Sequence, residues 1–305
     1  MRWFKKSGKK PGWMVLDIDE GKLNFVHGKF VPAGRSEIIQ CGTHVMDGAG
    51  LAKLSKDLGL SNYDCATILH PGTYQALLVE APNVPRDELK AAIRWRIKDM
   101  IDYHVDDATV DVLDVPVPDD TSGRNHSMYA IAARNEAVQA CVARFNEAGI
   151  GLSVIDIPET AQRNIANLYQ DADRGTALLY FDADGGLLTI SFADELHLAR
   201  RLDITHAQIV SGGSEVVGRV VLEIQRSLDH FERQFSYISV SKFLLGPEPV
   251  ETPLLEAMKQ GLGIAVIQVD LDEVLDFAAQ PASREDQWKL FHLIGASLRH
   301  EAKVL

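Results

Sequence analysis

One pattern occurs twice in this chain: an apolar strand that ends in aspartate, a glycine turn, and two further strands. The first copy begins with residues 13–19 and turns at Gly21. The second begins with residues 176–182 and turns at Gly185. Glycine supplies the backbone freedom that a tight hairpin requires. Helical segments follow each copy, so the pattern predicts an α/β protein of two like halves with a cleft between them.

The boundary between the halves is expected in the polar segment 171–175. The first half, residues 13–170, is expected to carry a small inserted α+β subdomain at about residues 85–150, which begins after a pair of prolines. The second half is then residues 171–305. At 305 residues, the chain is long enough for two domains with separate cores.

Three helices carry the clearest apolar periodicity after the opening strands. The first is predicted over 86–101, within the insertion. The second is a long helix over 214–235, with Ser214 as its N-cap. The third is a final helix over 286–300.

The charge of the chain divides between a short basic tail and an acidic body. The formal net charge is −12. Residues 1–12 form the tail, and its first ten residues carry five lysines or arginines and no acidic residue. Because an acidic body repels a phosphate backbone, we expect no nucleic-acid partner.

The tail also carries two aromatic residues next to its basic ones, a composition that suits an anionic bilayer surface. The residues expected to touch the membrane are Arg2, Trp3, Phe4, Lys5 and Lys6. The alternative is a solubilising tail. No apolar run approaches the length of a membrane helix, and the three cysteines are far apart, so we expect a cytoplasmic protein with reduced thiols.

Several short segments form a recognisable series along the chain. They are Leu16-Asp17-Ile18, Ile93-Arg94-Trp95, Ala132-Ala133-Arg134, Phe181 to Gly186, Glu223 to Leu228, Phe243 to Gly246 and Ile294 to Arg299. In order and spacing, these segments resemble the motifs of actin-like ATPases. More narrowly, they resemble the PilM group of type IV pilus assembly proteins, and within it the proteins of the mannose-sensitive haemagglutinin (MSHA) pilus. The cytoplasmic domain of the secretion protein GspL is more distantly similar. The resemblance implies an actin-like (ribonuclease H-like) two-lobed fold.

The resemblance also implies a site for ATP or ADP with Mg²⁺. Asp17 and Asp182 would hold the metal ion or its waters. The residues that the resemblance assigns to the nucleotide are Asp17, Lys22, Asp182, Gly185, Gly186, Thr189, Glu223, Arg226 and Gly246.

This site departs from the family pattern in all three of its loops. Asp19 and Glu20 follow the first motif in place of glycine and a hydroxyl residue, and Asp184 replaces a glycine in the second. Pro247 and Pro249 remove N–H donors from the third loop. Since like charges a few Å apart repel by about 4 kcal/mol at an effective dielectric near 20, we expect a degenerate site without ATP hydrolysis. Retained ATP binding by an active ATPase and a sugar-kinase-like enzyme are the alternatives.

The helix over 86–101 carries the residues expected to bind a partner, which are Arg94, Trp95 and Lys98. Tryptophan and arginine dominate protein-binding hot spots. The resemblance implies a groove between the opening strands and residues 85–150. That groove would bind the N-terminal cytoplasmic peptide of a PilN-like inner-membrane protein, and the complex would connect to a cytoplasmic assembly ATPase. The alternative is that Trp95 belongs to the core.

One histidine stands near the nucleotide motifs. His70 occupies a turn with Pro71 and Gly72, where it could act as a base, but we expect it to be solvated. The ten histidines show no HxxxH or HxH pairing, so a zinc site is not expected.

Overall fold

The computed structural model describes residues 9–32, 34–46, 50–116, 126–171, 173–279 and 281–300. None of the helices in these ranges is both long and apolar enough to cross a membrane. The strands are β1 (Trp13–Asp19), β2 (Lys22–Lys29), β3 (Ser36–Val45), β4 (Asp64–Ile68), β5 (Tyr74–Glu80), β6 (Ala108–Val115), β7 (Ser127–Arg134), β8 (Leu152–Asp156), β9 (Gly175–Phe181), β10 (Gly186–Phe192), β11 (Glu195–Leu202), β12 (Val240–Leu245), β13 (Ala265–Gln268) and β14 (Leu275–Phe277). The helices are α1 (Gly50–Asp57), α2 (Leu89–Ile97), α3 (Asn135–Glu147), α4 (Pro158–Asn167), α5 (His206–Gln234), α6 (Leu254–Gly261), α7 (Leu271–Val274), α8 (Arg284–Lys289) and α9 (Phe291–Ser297).

The same sheet topology occurs twice. The first sheet has the order β14-β3-β2-β1-β4-β8, and the second has the order β11-β10-β9-β12-β13. In the first, β1 pairs antiparallel with β2 and parallel with β4. In the second, β9 pairs antiparallel with β10 and parallel with β12 in the same way. The predicted α/β class with two like lobes is therefore confirmed.

The inserted subdomain has its own three-stranded sheet, in the order β5-β7-β6, covered by α2. Its first strand begins at Tyr74, which pairs with Ala133, and so lies before the predicted start near residue 85. At the other end, α3 leaves the insertion. Phe145 and Ile150 pack with Met14 of β1 in the core of the first lobe. The insertion thus spans residues 74–134, because strand pairing and burial set its limits.

Each lobe places its last helix on the sheet of the other lobe. Helix α4 follows β8 of the first lobe but packs on β9, β10 and β11. Helix α9 ends the second lobe but packs on β1, β2 and β4. Strand β14 also returns to the first sheet, where Leu275 pairs with Ser36 of β3. The predicted second half, residues 171–305, therefore contributes a strand and a helix to the first lobe.

The two exchanged helices cross in very close contact. A Cβ atom added to Gly295 of α9 would lie 2.1 Å from the carbonyl oxygen of Ala161 in α4. Beside the crossing, Asn164 Nδ2 donates a 3.0 Å hydrogen bond to the carbonyl oxygen of Gly295. Only glycine allows the two backbones to approach this closely.

The boundaries of two predicted helices are wrong. Helix α2 covers 89–97 rather than 86–101, and the final helix is two helices, α8 and α9, separated at Leu290. Helix α5 has two segments, because the backbone of Gly213 leaves helical geometry at φ +60° and ψ −154°. The second segment starts at the predicted Ser214, and a further segment precedes it, which begins at His206 after a capping box of Thr205 and Gln208.

We predict that Gly295→Ala destabilises the protein by about 1–3 kcal/mol, the usual cost of overpacking a core. The added methyl group meets backbone, which cannot move aside as a side chain can. The control is Gly218→Ala on α5, where a Cβ atom meets nothing within 4 Å. That change should raise stability by about 0.5–1 kcal/mol, the helix preference for alanine over glycine. Urea unfolding of both variants measures the difference, and equal stability would contradict the crossing described here.

Candidate functional site

The structure brings Asp17 and Asp182, the aspartates of the two repeated turns, to one pocket between the lobes. The pocket has a volume of about 130 Å³. Ligand pockets usually enclose about 300–1,000 Å³, so this one is small. Its charged and titratable lining consists of Asp17, His70, Asp182, Asp184, Lys289, Tyr180 and His292.

Asp17 is held by two side chains of the first lobe. His70 Nε2 lies 2.9 Å from Asp17 Oδ1, and Asn24 Nδ2 lies 3.4 Å from Asp17 Oδ2. The hydrogen bond to Asp17 raises the pKa of His70 above its ordinary value. His70 is exposed, as expected, but it is also paired with Asp17. Since β4 runs parallel beside β1, the turn after β4 reaches the end of β1, and this adjacency is the signal that would have identified the pair.

Asp182 caps its own turn. Its Oδ1 atom accepts backbone N–H bonds from Asp184 at 2.8 Å and Gly185 at 3.1 Å. Burial raises the pKa of Asp182. Gly185 adopts a φ of +140°, and a Cβ atom there would lie 2.8 Å from the carbonyl oxygen of Leu202. Packing within the lobe therefore requires glycine at this position.

Other residues assigned to the nucleotide lie outside this pocket. Lys22 is exposed at the start of β2. Thr189 is fully buried and lies 3.1 Å from Gln162 Nε2 of α4, beneath the second sheet. Close contacts also explain the other two glycines: a Cβ atom at Gly186 or Gly246 would meet the ring of Phe181 or Tyr180, respectively.

A cluster of buried side chains packs around the loop after β12. Glu248 Oε1 accepts a 2.8 Å hydrogen bond from Thr252 and lies 3.9 Å from His206 Nε2. Burial raises the pKa of Glu248 and lowers that of His206, which favours the neutral form of each. The ring of Trp288 lies 5.7 Å from that of His206. These side chains surround the loop to which the resemblance assigns an adenosine contact.

Glu223 and Arg226 line a different pocket of about 380 Å³, beside α5. Arg226 Nη1 lies 3.0 Å from Glu223 Oε1 one helical turn away. Arg200 of β11 also pairs with Glu223. The residues assigned to the nucleotide are therefore divided among separate places in the fold.

A triad that the sequence does not reveal joins the insertion to both lobes, with two buried members, Tyr74 and Glu159, and the partly exposed Arg201. The hydroxyl of Tyr74, on β5, donates to Glu159 of α4. Arg201 of β11 donates to the Tyr74 hydroxyl at 2.8 Å and to Glu159 Oε1 at 3.2 Å. Burial and the neighbouring carboxylate hold the pKa of Tyr74 well above its ordinary value. The cleft is thus held together by side chains of the protein itself.

The three residues predicted to bind a partner lie together at a pocket of about 830 Å³ on the insertion, here called the Trp95 pocket. Trp95 is 71% exposed, so the alternative of a core residue is wrong. Lys98 Nζ lies 5.7 Å from the Trp95 ring centroid. Arg94 instead braces the pocket, because it donates to the carbonyl oxygens of Val105 and Ala108 at 2.7 and 2.8 Å.

The Trp95 pocket lies entirely within the insertion. Its lining residues fall between 91 and 106, so the opening strands take no part in it, in contrast to the predicted groove. Its rim is polar, with Asp99, Asp102 and Asp106 among the lining residues. An exposed aromatic side chain inside a polar rim is the usual anatomy of a protein-binding surface.

The five residues predicted to touch the membrane lie outside the described residues. The next part of the tail is anchored at the start of β4. Lys9 Nζ lies 2.7 Å from Asp64, and Lys10 Nζ donates to the Tyr63 hydroxyl at 2.8 Å. The chain therefore enters the first lobe at the end of the sheet opposite the cleft.

Comparison with known proteins identifies the fold. No protein-family model and no curated protein sequence matches the chain. It is similar to the solved PilM–PilN type IV pilus biogenesis complex, with a TM-score of 0.69 and 17% identity over 94% of this chain and 97% of that chain. It is also similar to the cytoplasmic domain of EpsL, an inner-membrane component of the Vibrio cholerae type II secretion system. There the TM-score is 0.50 and the identity 12%, over 93% of each chain. The actin-like fold is confirmed.

We predict that His70 titrates above its ordinary pKa of 6.5, and that Asp17→Asn lowers this pKa because it removes the accepting carboxylate. A raised folded-state pKa stabilises the protein below the unfolded value, and the stabilisation is lost as pH rises through the folded value. Asp17→Asn should therefore cost more stability at acidic than at alkaline pH. Histidine NMR measures the titration, and His292, whose pKa burial lowers to about 3, is the internal control. An unchanged His70 pKa in the variant would contradict the pairing.

Proposed function

We propose that this protein is a structural component of a type IV pilus assembly machine of the MSHA type, related to MshI. It acts in the cytoplasm at the inner membrane. Its Trp95 pocket binds the N-terminal cytoplasmic peptide of a PilN-like membrane protein. The observation that carries the proposal is the exposed Trp95 in a large pocket on an actin-like body.

The choice of a PilN-like partner comes from the solved complex. PilM, the neighbour with a TM-score of 0.69, was solved together with PilN. In this chain, the Trp95 ring and the Lys98 ammonium group offer a desolvated contact beside a cationic one. An apolar residue of the peptide would pack on the indole ring, and a carboxylate or carbonyl oxygen would accept from Lys98.

We predict that the N-terminal peptide of the PilN-like protein from the same organism binds the full chain, and that Trp95→Ala weakens binding about thirtyfold. This loss corresponds to about 2 kcal/mol, the threshold of a hot spot. Isothermal titration calorimetry gives both affinities. Val45→Ala, at an exposed apolar residue of β3, is the matched control and should leave affinity unchanged. If Trp95→Ala leaves the peptide affinity unchanged, the peptide binds at another site. If the unchanged protein does not bind the peptide, the proposal of a PilN-like partner is wrong.

We also propose that the inter-lobe site is degenerate and that the protein does not hydrolyse ATP. The pocket of about 130 Å³ is too small for a nucleotide. Asp182 Oδ1 already accepts two backbone N–H groups and Asp17 Oδ1 is paired with His70, so one oxygen of each carboxylate is engaged within the protein. Within the described residues, no three carboxylate, histidine or cysteine side chains gather as a metal site.

The alternative is an active ATPase of the same complex, favoured by the convergence of Asp17, Asp182 and Lys289 on one pocket. We predict that a fluorescent ATP analogue with Mg²⁺ shows no saturable binding, because three carboxylates and a small pocket oppose the triphosphate. The Asp184→Gly variant, which restores the family residue, is the informative comparison. Micromolar affinity in the unchanged protein would establish the alternative.

The basic tail is proposed to add a contact with anionic lipid. It would begin from the anchored Lys9 and Lys10, so that the end of the first lobe opposite the cleft faces the bilayer. We predict that the chain sediments with vesicles of phosphatidylglycerol but not of phosphatidylcholine alone. Lys5→Glu with Lys6→Glu should weaken sedimentation more than tenfold, since each basic residue contributes about 1 kcal/mol. Equal sedimentation of the double variant would contradict the contact.

Two further parts of the proposal concern the wider machine. A cytoplasmic assembly ATPase is the proposed second partner of the complex. A component of a type II secretion system, comparable to GspL, is the competing assignment, since the EpsL cytoplasmic domain shares the fold. Co-purification distinguishes the two assignments. The pilus assignment predicts that the PilN-like membrane protein co-purifies with the chain, and the secretion assignment predicts its secretion counterpart.

A further inference from the structure

A second groove, on the other lobe, follows helix α5. It consists of two adjoining pockets of about 380 and 170 Å³, which share Asp203, Ile204 and Arg219. We call it the arginine groove. It extends along α5 from Gln208 to Arg226.

The charge of this groove is opposite to that of the protein. The chain carries a formal net charge of −12, yet four arginines line the groove against only two carboxylates. The arginines are Arg200, Arg201, Arg219 and Arg226, and the carboxylates are Asp203 and Glu223. A cationic groove on an acidic protein selects an anionic ligand.

The arginines are not all neutralised within the protein. Glu223 alone pairs with both Arg200 and Arg226, whereas Arg201 is paired with Glu159 of the triad. Arg219 is exposed and makes no ion pair in the part of the chain that the structure describes. At least one guanidinium group is therefore available to hold a carboxylate in bidentate geometry.

Apolar side chains lie between these charges. Leu222, which lines the groove, is 45% exposed. Val216, which is partly buried, lines the smaller pocket. A small inorganic anion would leave these apolar surfaces uncovered, whereas a peptide would cover them.

The length of the groove also fits a peptide. Helix α5 is broken at Gly213, so the helical length counts from Ser214. The rise of 1.5 Å per residue gives about 18 Å between residues 214 and 226. An extended segment of about five residues covers this distance, at 3.3–3.6 Å per residue, and a longer one reaches the smaller pocket.

We propose that the arginine groove binds an extended acidic segment of a partner protein, with carboxylates on Arg219 and Arg226 and an apolar side chain on Leu222. This groove and the Trp95 pocket lie on different lobes, so both can be occupied at once. The inference rests on α5 and β11 alone and does not depend on the PilN-like partner.

The test uses the full chain and a fluorescein-labelled peptide of eight alternating glutamate and leucine residues. Fluorescence polarisation should show saturable binding. A peptide with lysine for glutamate should not bind, and one with serine for leucine should bind at least threefold more weakly. Arg219→Glu and Arg226→Glu should each weaken binding about tenfold, the effect of losing one charge-assisted hydrogen bond.

The control variant is Arg174→Glu, at an exposed arginine just before β9, which should change affinity less than twofold. Three results would overturn the proposal: no saturable binding, equal affinity for the lysine peptide, or equal weakening by Arg174→Glu. Competition by inorganic phosphate together with undiminished binding of the serine peptide would also overturn it, since the groove would then be a small-anion site. A Trp95→Ala variant that still binds the acidic peptide separates this groove from the Trp95 pocket.

Discussion

The structure depends on the crossing of two exchanged helices. Gly295 brings α9 against the backbone of Ala161 in α4, and each helix lies on the sheet of the opposite lobe. Polar contacts hold the pair in register: Asn164 binds the Gly295 carbonyl, and Arg299 Nε lies 3.3 Å from Asp156 Oδ2. Because each lobe completes its core with the other lobe's helix, neither lobe is a complete folding unit without the other.

This arrangement determines the character of the cleft. Gln162 of α4 lies within hydrogen-bond distance of backbone carbonyls of β9 and β10, and His292 of α9 lies 3.3 Å from the same side chain. Glu159, one turn earlier on α4, joins the triad with Tyr74 and Arg201. The groups at the base of the cleft thus bind one another, and only a small pocket remains beside the two aspartates. Larger pockets lie on the outside, on the insertion and along α5.

The sequence predicts local structure well and long-range structure poorly. The strand 13–19 is found at the predicted residues and the strand 176–182 one residue earlier, because an apolar run before a turn is a local signal. The exchange of α4 and α9 leaves no such signal, since the pairing of Ala161 with Gly295 is separated by more than a hundred residues. Strand β14, with three residues, is too short to recognise.

The candidate site shows the same difference between features that the sequence predicts and features that it does not. Convergence of Asp17 and Asp182 follows from the repeat, because equivalent strands end at the same cleft. The partners of these residues do not follow from it: His70 reaches Asp17 only through the parallel pairing of β4 with β1. The sequence also does not decide whether Trp95 is exposed, because a tryptophan beside an apolar stripe can lie in the core or on the surface. The predicted helix start at Ser214 coincides with the break at Gly213, whereas the segment before it, capped by Thr205 and Gln208, was not predicted.

The central claim is that side chains of the protein, rather than a nucleotide, hold the two lobes together. Hydrogen–deuterium exchange of the full chain, with and without saturating ATP and Mg²⁺, tests it most directly. The account predicts strong protection of α4, α9 and the 179–186 turn in the absence of nucleotide, with no change when ATP and Mg²⁺ are added. Fast exchange in these segments that becomes slow on addition of ATP and Mg²⁺ would contradict it.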